Sequence, residues 1–489
     1  MSVLEIINGN TKKENKIFTL PIKVTVTNLN EAQKETLRAI NEHNLVILQG
    51  GGGCGKSETL INIVCDNLAK GKKTLIIAKT DKALEVLADR LNNMGAGHIC
   101  MLAGAKTSNV ILSSHLLDLL EGRVDLTDDA KGNILKYLIH KNKENAVNLL
   151  KSQNIKRLNN LLIDTEKRKN LLTMAKMSLV NKRNKKEQIM KQVDFKDLLD
   201  VFGVWAVNAD KLHEVLPLQK DMFDFCIGDE LSQMCISDLI GAMFRSKKMI
   251  GAGDSFQLKN LCWLESKKEQ SFLIAHDVPA DLQLHWSYRK NSALDFLLYY
   301  AEKSIMLKEN YRTPENLFTF ANSEFYNNSI YCHKKSVEGA IEKVFVENAK
   351  TEANNTNLAE IEKAITIVKK IIKDCKAKGI KKSIGLIVPF NKQAILCQKV
   401  LMETIPYSDI VDFEIIASTI HSFQGGEKDY ILYLTTFAEN THRNLLTFLE
   451  NRNTFCVSIT RAKEKMYVLY NTNNLKGGLL QKFLDSIPA

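Results

Sequence analysis

Short, almost unbroken apolar runs alternate with amphipathic stretches along most of this chain. Leu45-Val46-Ile47-Leu48, Thr74–Ala78, Phe223–Ile227 and Lys248–Ala252 are examples. A run that is apolar at nearly every position, instead of every second one, suits a strand covered on both faces, as in a parallel sheet. Helical spacing follows the first two runs. Ile384–Val388, Ile415–Ala417, Tyr430–Thr435 and Met466–Tyr470 predict a second α/β unit. Between Pro21 and Pro217 there is no proline. From about Ser113 to Asp200 Leu and Ile recur at helical spacing among charges, as at Leu149-Leu150, Ile155, Leu158, Leu161-Leu162, Leu171-Leu172 and Leu179. This predicts an antiparallel pair of long helices. The fold class is therefore α/β, its core interrupted by a helical insertion.

A chain of 489 residues has room for several domains. Its composition, 45% hydrophobic and 25% charged, is that of an ordinary soluble protein. No apolar run reaches membrane-spanning length. Met1 to Lys16 is polar and carries Glu5 and Glu14, which suits neither a secretory signal nor a transit peptide. The ten cysteines form no CxxC pair, and Cys332-His333 reads as incidental. Reduced thiols place the expectation inside the cell, cytoplasmic or nuclear, with no membrane partner. Charge is localised. Residues 131–191 hold 16 Lys and Arg against 4 Asp and Glu, so this segment accounts for the net charge of +11. Such a surface suits nucleic acid, with a solvated lysine-rich face as the alternative.

Gly50-Gly51-Gly52-Gly53-Cys54-Gly55-Lys56-Ser57 follows the first apolar run and precedes a helical stretch. Glycines there let backbone N–H groups turn around phosphate oxygens, and the helix start adds partial positive charge. Lys56 would reach the β- and γ-phosphates, and Ser57 would offer its hydroxyl to Mg²⁺. Asp229-Glu230 ends the Phe223–Ile227 run. Asp229 suits the Mg²⁺ shell and Glu230 the polarisation of water. Gln257, after the next run, is placed to sense a γ-phosphate.

The motifs together resemble those of a superfamily 1 helicase, in the 1B branch typified by the RNA helicase of nonsense-mediated decay and its DNA-acting relatives. Leu29-Asn30-Glu31-Ala32-Gln33 resembles its adenine-reading glutamine motif, and Thr74–Ala78 with Thr80 resembles motif Ia. Asp229–Gln233, Gly253–Leu258, and Asn310-Tyr311-Arg312 with Phe325-Tyr326 resemble motifs II, III and IV. Ser418–Asp429 resembles motif V, and Val457–Lys463 motif VI. The resemblance implies two RecA-like P-loop NTPase domains with ATP and Mg²⁺ between them. The first spans 28–112 and 196–275, after an arm at 1–27 and around a basic insertion at 113–195. The second spans 276–489. Gln33 would read adenine, Tyr311 would stack on it, and Glu427 would meet the ribose. Arg312 and Arg461 would be the arginine fingers. Thr80, Ser422 and Gln424 would contact single-stranded DNA or RNA, and Lys182, Arg183, Lys185 and Lys186 of the insertion would add affinity. The implied activity is that of an ATP hydrolase driving a 5′-to-3′ helicase or translocase. The alternatives are a nucleic-acid-stimulated remodelling ATPase, or a motor subunit of a viral replication or antiviral defence assembly whose insertion docks a protein.

Three departures stand out. Motif III lacks its usual two prolines, since Leu258 is followed by Lys259-Asn260. A rival Tyr288-Arg289 pair lies upstream of motif IV. Arg312 is preferred because Phe325-Tyr326 follows it and Ser292–Met306 resembles the helix that precedes the family's motif. The 28 residues before Leu29 leave no room for the small β-barrel common in relatives.

Overall fold

The structure is a computed structural model and describes residues 25–93, 100–103, 163–178, 191–260, 262–352, 354–441, 443–471, 475 and 477–488. The chain divides into two compact units. One comprises 1–50, 56–255 and 259–307, and the other 51–55, 256–258 and 308–489.

The first unit is built on a seven-stranded sheet. Its strands are β1 (Leu45–Gly50), β2 (Thr74–Ala78), β3 (Cys100–Ala103), β4 (Val204–Asn208), β5 (Phe223–Gly228), β6 (Ser246–Gly253) and β7 (Lys303–Leu307), in the order β3-β4-β2-β5-β6-β1-β7. Every pairing is parallel. Leu45, Val46, Ile47 and Leu48 are all fully buried, which is what an unbroken apolar run between two helical layers requires. Burying each side chain contributes about 1.5–3 kcal/mol.

The helix Glu31–Glu42 starts with a capping box: the Asn30 side chain accepts from the Gln33 N–H, and the Gln33 side chain accepts from the Asn30 N–H. Of the basic insertion, residues 163–178 and 191–195 are described. They include the helix Thr165–Ser178, whose Asn170 bonds Asp197 on the short helix Phe195–Val201 at 3.4 Å. Lys182, Arg183, Lys185 and Lys186 lie outside the described residues, as does most of the expected helical pair.

The second unit holds β8 (Glu309–Pro314) paired with β9 (Tyr331–Lys334), and a five-stranded parallel sheet. The latter contains β10 (Ile341–Phe345), β11 (Ile384–Val388), β12 (Ile416–Thr419), β13 (Lys428–Leu434) and β14 (Ala462–Tyr470), in the order β10-β14-β13-β11-β12. The helix Leu358–Ala377 buries Ile361, Ala364, Ile365, Val368, Ile371 and Ile372 against this sheet, a spacing of three and four residues.

Two expectations need correction. Ser292–Met306 is not one helix: the helix covers Ala293–Tyr300, and β7 follows and pairs with β1. Residues 276–307 consequently complete the first unit, and the break between units falls at Leu307/Lys308 instead of after 275. The physical reason is β1, whose Val46–Gly50 backbone takes β7 as a parallel neighbour on its open side.

Candidate active site

In the first unit the chemistry gathers at the ends of β1 and β5. Lys56 opens the helix Lys56–Ala69, is only 9% exposed, and donates from Nζ to the Gly50 carbonyl at 2.6 Å. Ser57 follows it, half-buried. Asp229 leaves β5 with its N–H bonded to the Ile77 carbonyl at 2.9 Å, so the β2–β5 ladder holds it at the sheet end. It is 5% exposed, and its Oδ1 accepts the Glu230 N–H at 2.9 Å. Glu230 sits at φ +53°, in the left-handed region that non-glycine residues seldom adopt, a strain typical of functional turns. Its Oε2 is buried and has no hydrogen-bond partner among the described residues.

Burial, then the neighbouring Glu230 charge, pushes the Asp229 carboxyl up from an ordinary 3.8 to about 7, against the pull of Lys56. Two carboxylates and one ammonium thus share a strand end at which Lys56 and Asp229 are buried and Glu230 is half-buried. Asp229 and Ser57 supply hard oxygen donors of the kind Mg²⁺ accepts. A divalent cation would relieve the repulsion that raises Asp229, so these residues fit an Mg²⁺-bound nucleotide phosphate. No cluster of three or more His, Cys, Asp or Glu suited to a metal occurs among the described residues.

Gln33 is 3% exposed, and its amide oxygen is engaged at the helix cap, which fixes the side chain. Thr80 lies exposed just past β2, its hydroxyl accepting the Ala83 N–H at 3.4 Å. The rival Arg289 is exposed in the first unit, its backbone N–H donating to Glu269 at 3.0 Å.

The second unit brings together residues far apart in sequence. Arg312, on β8, donates from Nη1 to Glu427 Oε2 at 2.5 Å and from Nη2 to the Thr460 carbonyl at 2.9 Å. Glu427 also takes Lys463 Nζ at 3.0 Å. Burial alone would raise the Glu427 carboxyl, but Arg312 and Lys463 hold it below its usual value. Arg461 is 3% exposed and donates from Nε to the Val457 carbonyl at 3.2 Å. The loop residues Gly51–Gly55 group with this unit. Asn310 Nδ2 donates to the Gly52 carbonyl at 3.0 Å, and the Tyr311 N–H to the Gly53 carbonyl at 3.1 Å. Gly53 needs glycine twice over: φ is +84°, and a Cβ would lie 2.6 Å from Arg312 Cβ.

Gln257 is 3% exposed, and its carbonyl accepts Asn453 Nδ2 at 2.6 Å. In motif V, Ser422 is exposed, with its N–H on Thr419 Oγ1 at 3.2 Å, and Gln424 Nε2 reaches the Leu258 carbonyl at 3.5 Å. Lys463 and Asn310 went unnoticed in the sequence as parts of this cluster. Both sit inside motifs already singled out, so their adjacency to Arg461 and Arg312 was the available signal.

Two AAA domain models match the chain, one over residues 28–263 and the other over 290–473. An uncharacterized ATP-dependent helicase of Mycoplasma genitalium is 26% identical over 316 residues, 60% of this chain and 27% of that protein. The DNA polymerase alpha-associated DNA helicase A of Saccharomyces cerevisiae is 24% identical over 520 residues, 96% of this chain and 68% of that protein. The DNA-binding protein SMUBP-2 of Mus musculus is 22% identical over 521 residues, 99% of this chain and 46% of that protein. The chain thus spans between about a quarter and about two thirds of the length of these relatives. The two AAA matches follow one another along the motif-bearing part of the chain, and two of the three relatives carry helicase names. On these grounds the chain belongs to the superfamily 1 helicases, in the 1B branch.

Proposed function

We propose that this chain is an ATP-dependent motor on single-stranded DNA or RNA, moving 5′ to 3′ and coupling hydrolysis to strand movement. The observation that carries the reading is the cluster of buried Lys56 and Asp229 with half-buried Glu230 at the ends of β1 and β5. Three charged groups gathered where two of them are buried are costly unless a ligand completes the site.

The roles follow from the chemistry of each group. Gly50 to Gly55 would present backbone N–H groups to the β- and γ-phosphates, and Lys56 would exchange the Gly50 carbonyl for phosphate oxygens. Ser57 and Asp229 would hold Mg²⁺. When bound, that ion would neutralise phosphate charge. Glu230 would accept the proton of the attacking water through its unpartnered Oε2. Gln257 would orient that water against the γ-phosphate. Arg312 and Arg461 would offer planar guanidinium donors to the equatorial oxygens. Gln33 and Tyr311 would hold the adenine and Glu427 the ribose, while Thr80, Ser422 and Gln424 would grip the strand. The basic segment 113–195, with Lys182, Arg183, Lys185 and Lys186, would add phosphate contacts as an accessory insertion.

The relatives' names support an action on DNA for those proteins. The test measures ATP turnover with single-stranded DNA, with single-stranded RNA and without polymer, then strand displacement on duplexes carrying a 5′ or a 3′ overhang. Stimulation by one polymer and displacement from the 5′ overhang are expected. Turnover indifferent to both polymers sinks the motor reading. Stimulation without displacement leaves the remodelling ATPase in its place.

A further inference from the structure

His333 stood aside from every motif, yet the fold stacks it on one of the residues assigned to the nucleotide. β9 runs parallel to β8, with Glu309 opposite Tyr331 and Asn310 opposite Cys332. That pairing lays the His333 ring over the Tyr311 ring, with centroids 4.3 Å apart and planes 11° from parallel. The two rings share one acceptor. The Tyr311 hydroxyl donates to Glu309 Oε2 at 2.6 Å, and His333 Nε2 meets the same oxygen at 2.8 Å. A carboxylate oxygen only accepts, so Nε2 carries the proton there. Tyr331 packs edge-on against His333, with centroids 5.0 Å apart. Tyr311 is nonetheless 42% exposed.

We propose that His333 and Glu309 are positioning residues for the nucleotide base: they cover one face of Tyr311 and tether its hydroxyl, so the ring offers its other face at a set angle to a purine. The proposal rests on the reading of Tyr311 as the base-stacking residue. A lone half-exposed tyrosine samples several rotamers and loses that freedom on binding. A ring already clamped by a stack and a hydrogen bond has lost it beforehand, and preorganisation of this kind appears as affinity. The imidazole is suited to the task because it is flat and also carries a donor for the shared carboxylate.

The experiment titrates ATP and, separately, inorganic triphosphate into the full chain, by calorimetry, for wild type, Tyr311→Ala, His333→Ala and His333→Phe. His333→Ala should weaken ATP roughly two- to tenfold, the cost of ordering one side chain, and leave triphosphate affinity unchanged. His333→Phe, which keeps the stack, should recover most of the loss. A purely structural role for His333 predicts equal weakening of ATP and triphosphate, and that result overturns the inference. So does unchanged ATP affinity in His333→Ala alongside weakened binding in Tyr311→Ala, in which case the stacking role of Tyr311 survives. If Tyr311→Ala itself binds ATP like wild type, both the stacking role and this inference fall.

Discussion

Replacing Asp229 by Asn should stabilise the protein in the absence of nucleotide and Mg²⁺ while it destroys turnover. Burial and the adjacent Glu230 raise the Asp229 carboxyl from 3.8 to about 7. A carboxyl raised on folding carries no penalty below its unfolded value. The penalty grows as pH climbs from there to the folded value, and is constant above it. At about 1.4 kcal/mol per pKa unit, the full cost at pH 8 is on the order of 4 kcal/mol, and at pH 5 roughly a third of that. Asn has the same shape and keeps an oxygen for the Glu230 N–H, so the charge is what changes. The gain in stability should therefore be about 2–3 kcal/mol larger at pH 8 than at pH 5, or roughly 3–5 °C in melting temperature for a unit of this size. Thermal melts of wild type and Asp229→Asn at pH 5, 6.5 and 8 measure it. Adding ATP with Mg²⁺ should narrow the gap at pH 8 and reverse the ranking at pH 5, because a ligand at 100 times its Kd contributes about 2.7 kcal/mol to whichever form binds it. A gain that does not depend on pH, or a loss at pH 8, would refute the electrostatic account of this strand end.

Other substitutions test the remaining roles. Lys56→Ala should lose both ATP binding and turnover, whereas Glu230→Gln should bind ATP and fail to hydrolyse it; near-normal turnover in Glu230→Gln removes it as the base. Arg312→Ala should cut turnover by on the order of 10³–10⁵ with polymer binding retained, while Arg289→Ala, exposed in the first unit, should change it little; the reverse outcome would move the finger to Arg289. Replacing Lys182, Arg183, Lys185 and Lys186 together by Gln should weaken polynucleotide binding and flatten its salt dependence by up to about 3 in slope, at roughly 0.7 per single-strand contact. Binding titrations at several salt concentrations decide this, and an unaltered slope would point to a protein-docking arm.

The chain's own pattern determined what is local. The strand, glycine loop and helix from Leu45 to Leu68 can be read directly, because a buried strand must be apolar throughout and a loop turning around phosphate must lack Cβ atoms. The acidic pair after β5 is equally local. β4 and β7 were not legible. Val204–Asn208 and Lys303–Leu307 are five residues each, and the second adjoins a helix whose spacing ran on into it. Only the tertiary structure decided that β7 joins β1, since parallel partners are chosen by long-range hydrogen bonding and leave no mark on neighbouring residues. The same holds for the pairing of Arg312 with Glu427 across 115 positions, and for the stack of His333 on Tyr311. Residue type alone allowed each of those side chains many partners. The strand register on which it stands selected one.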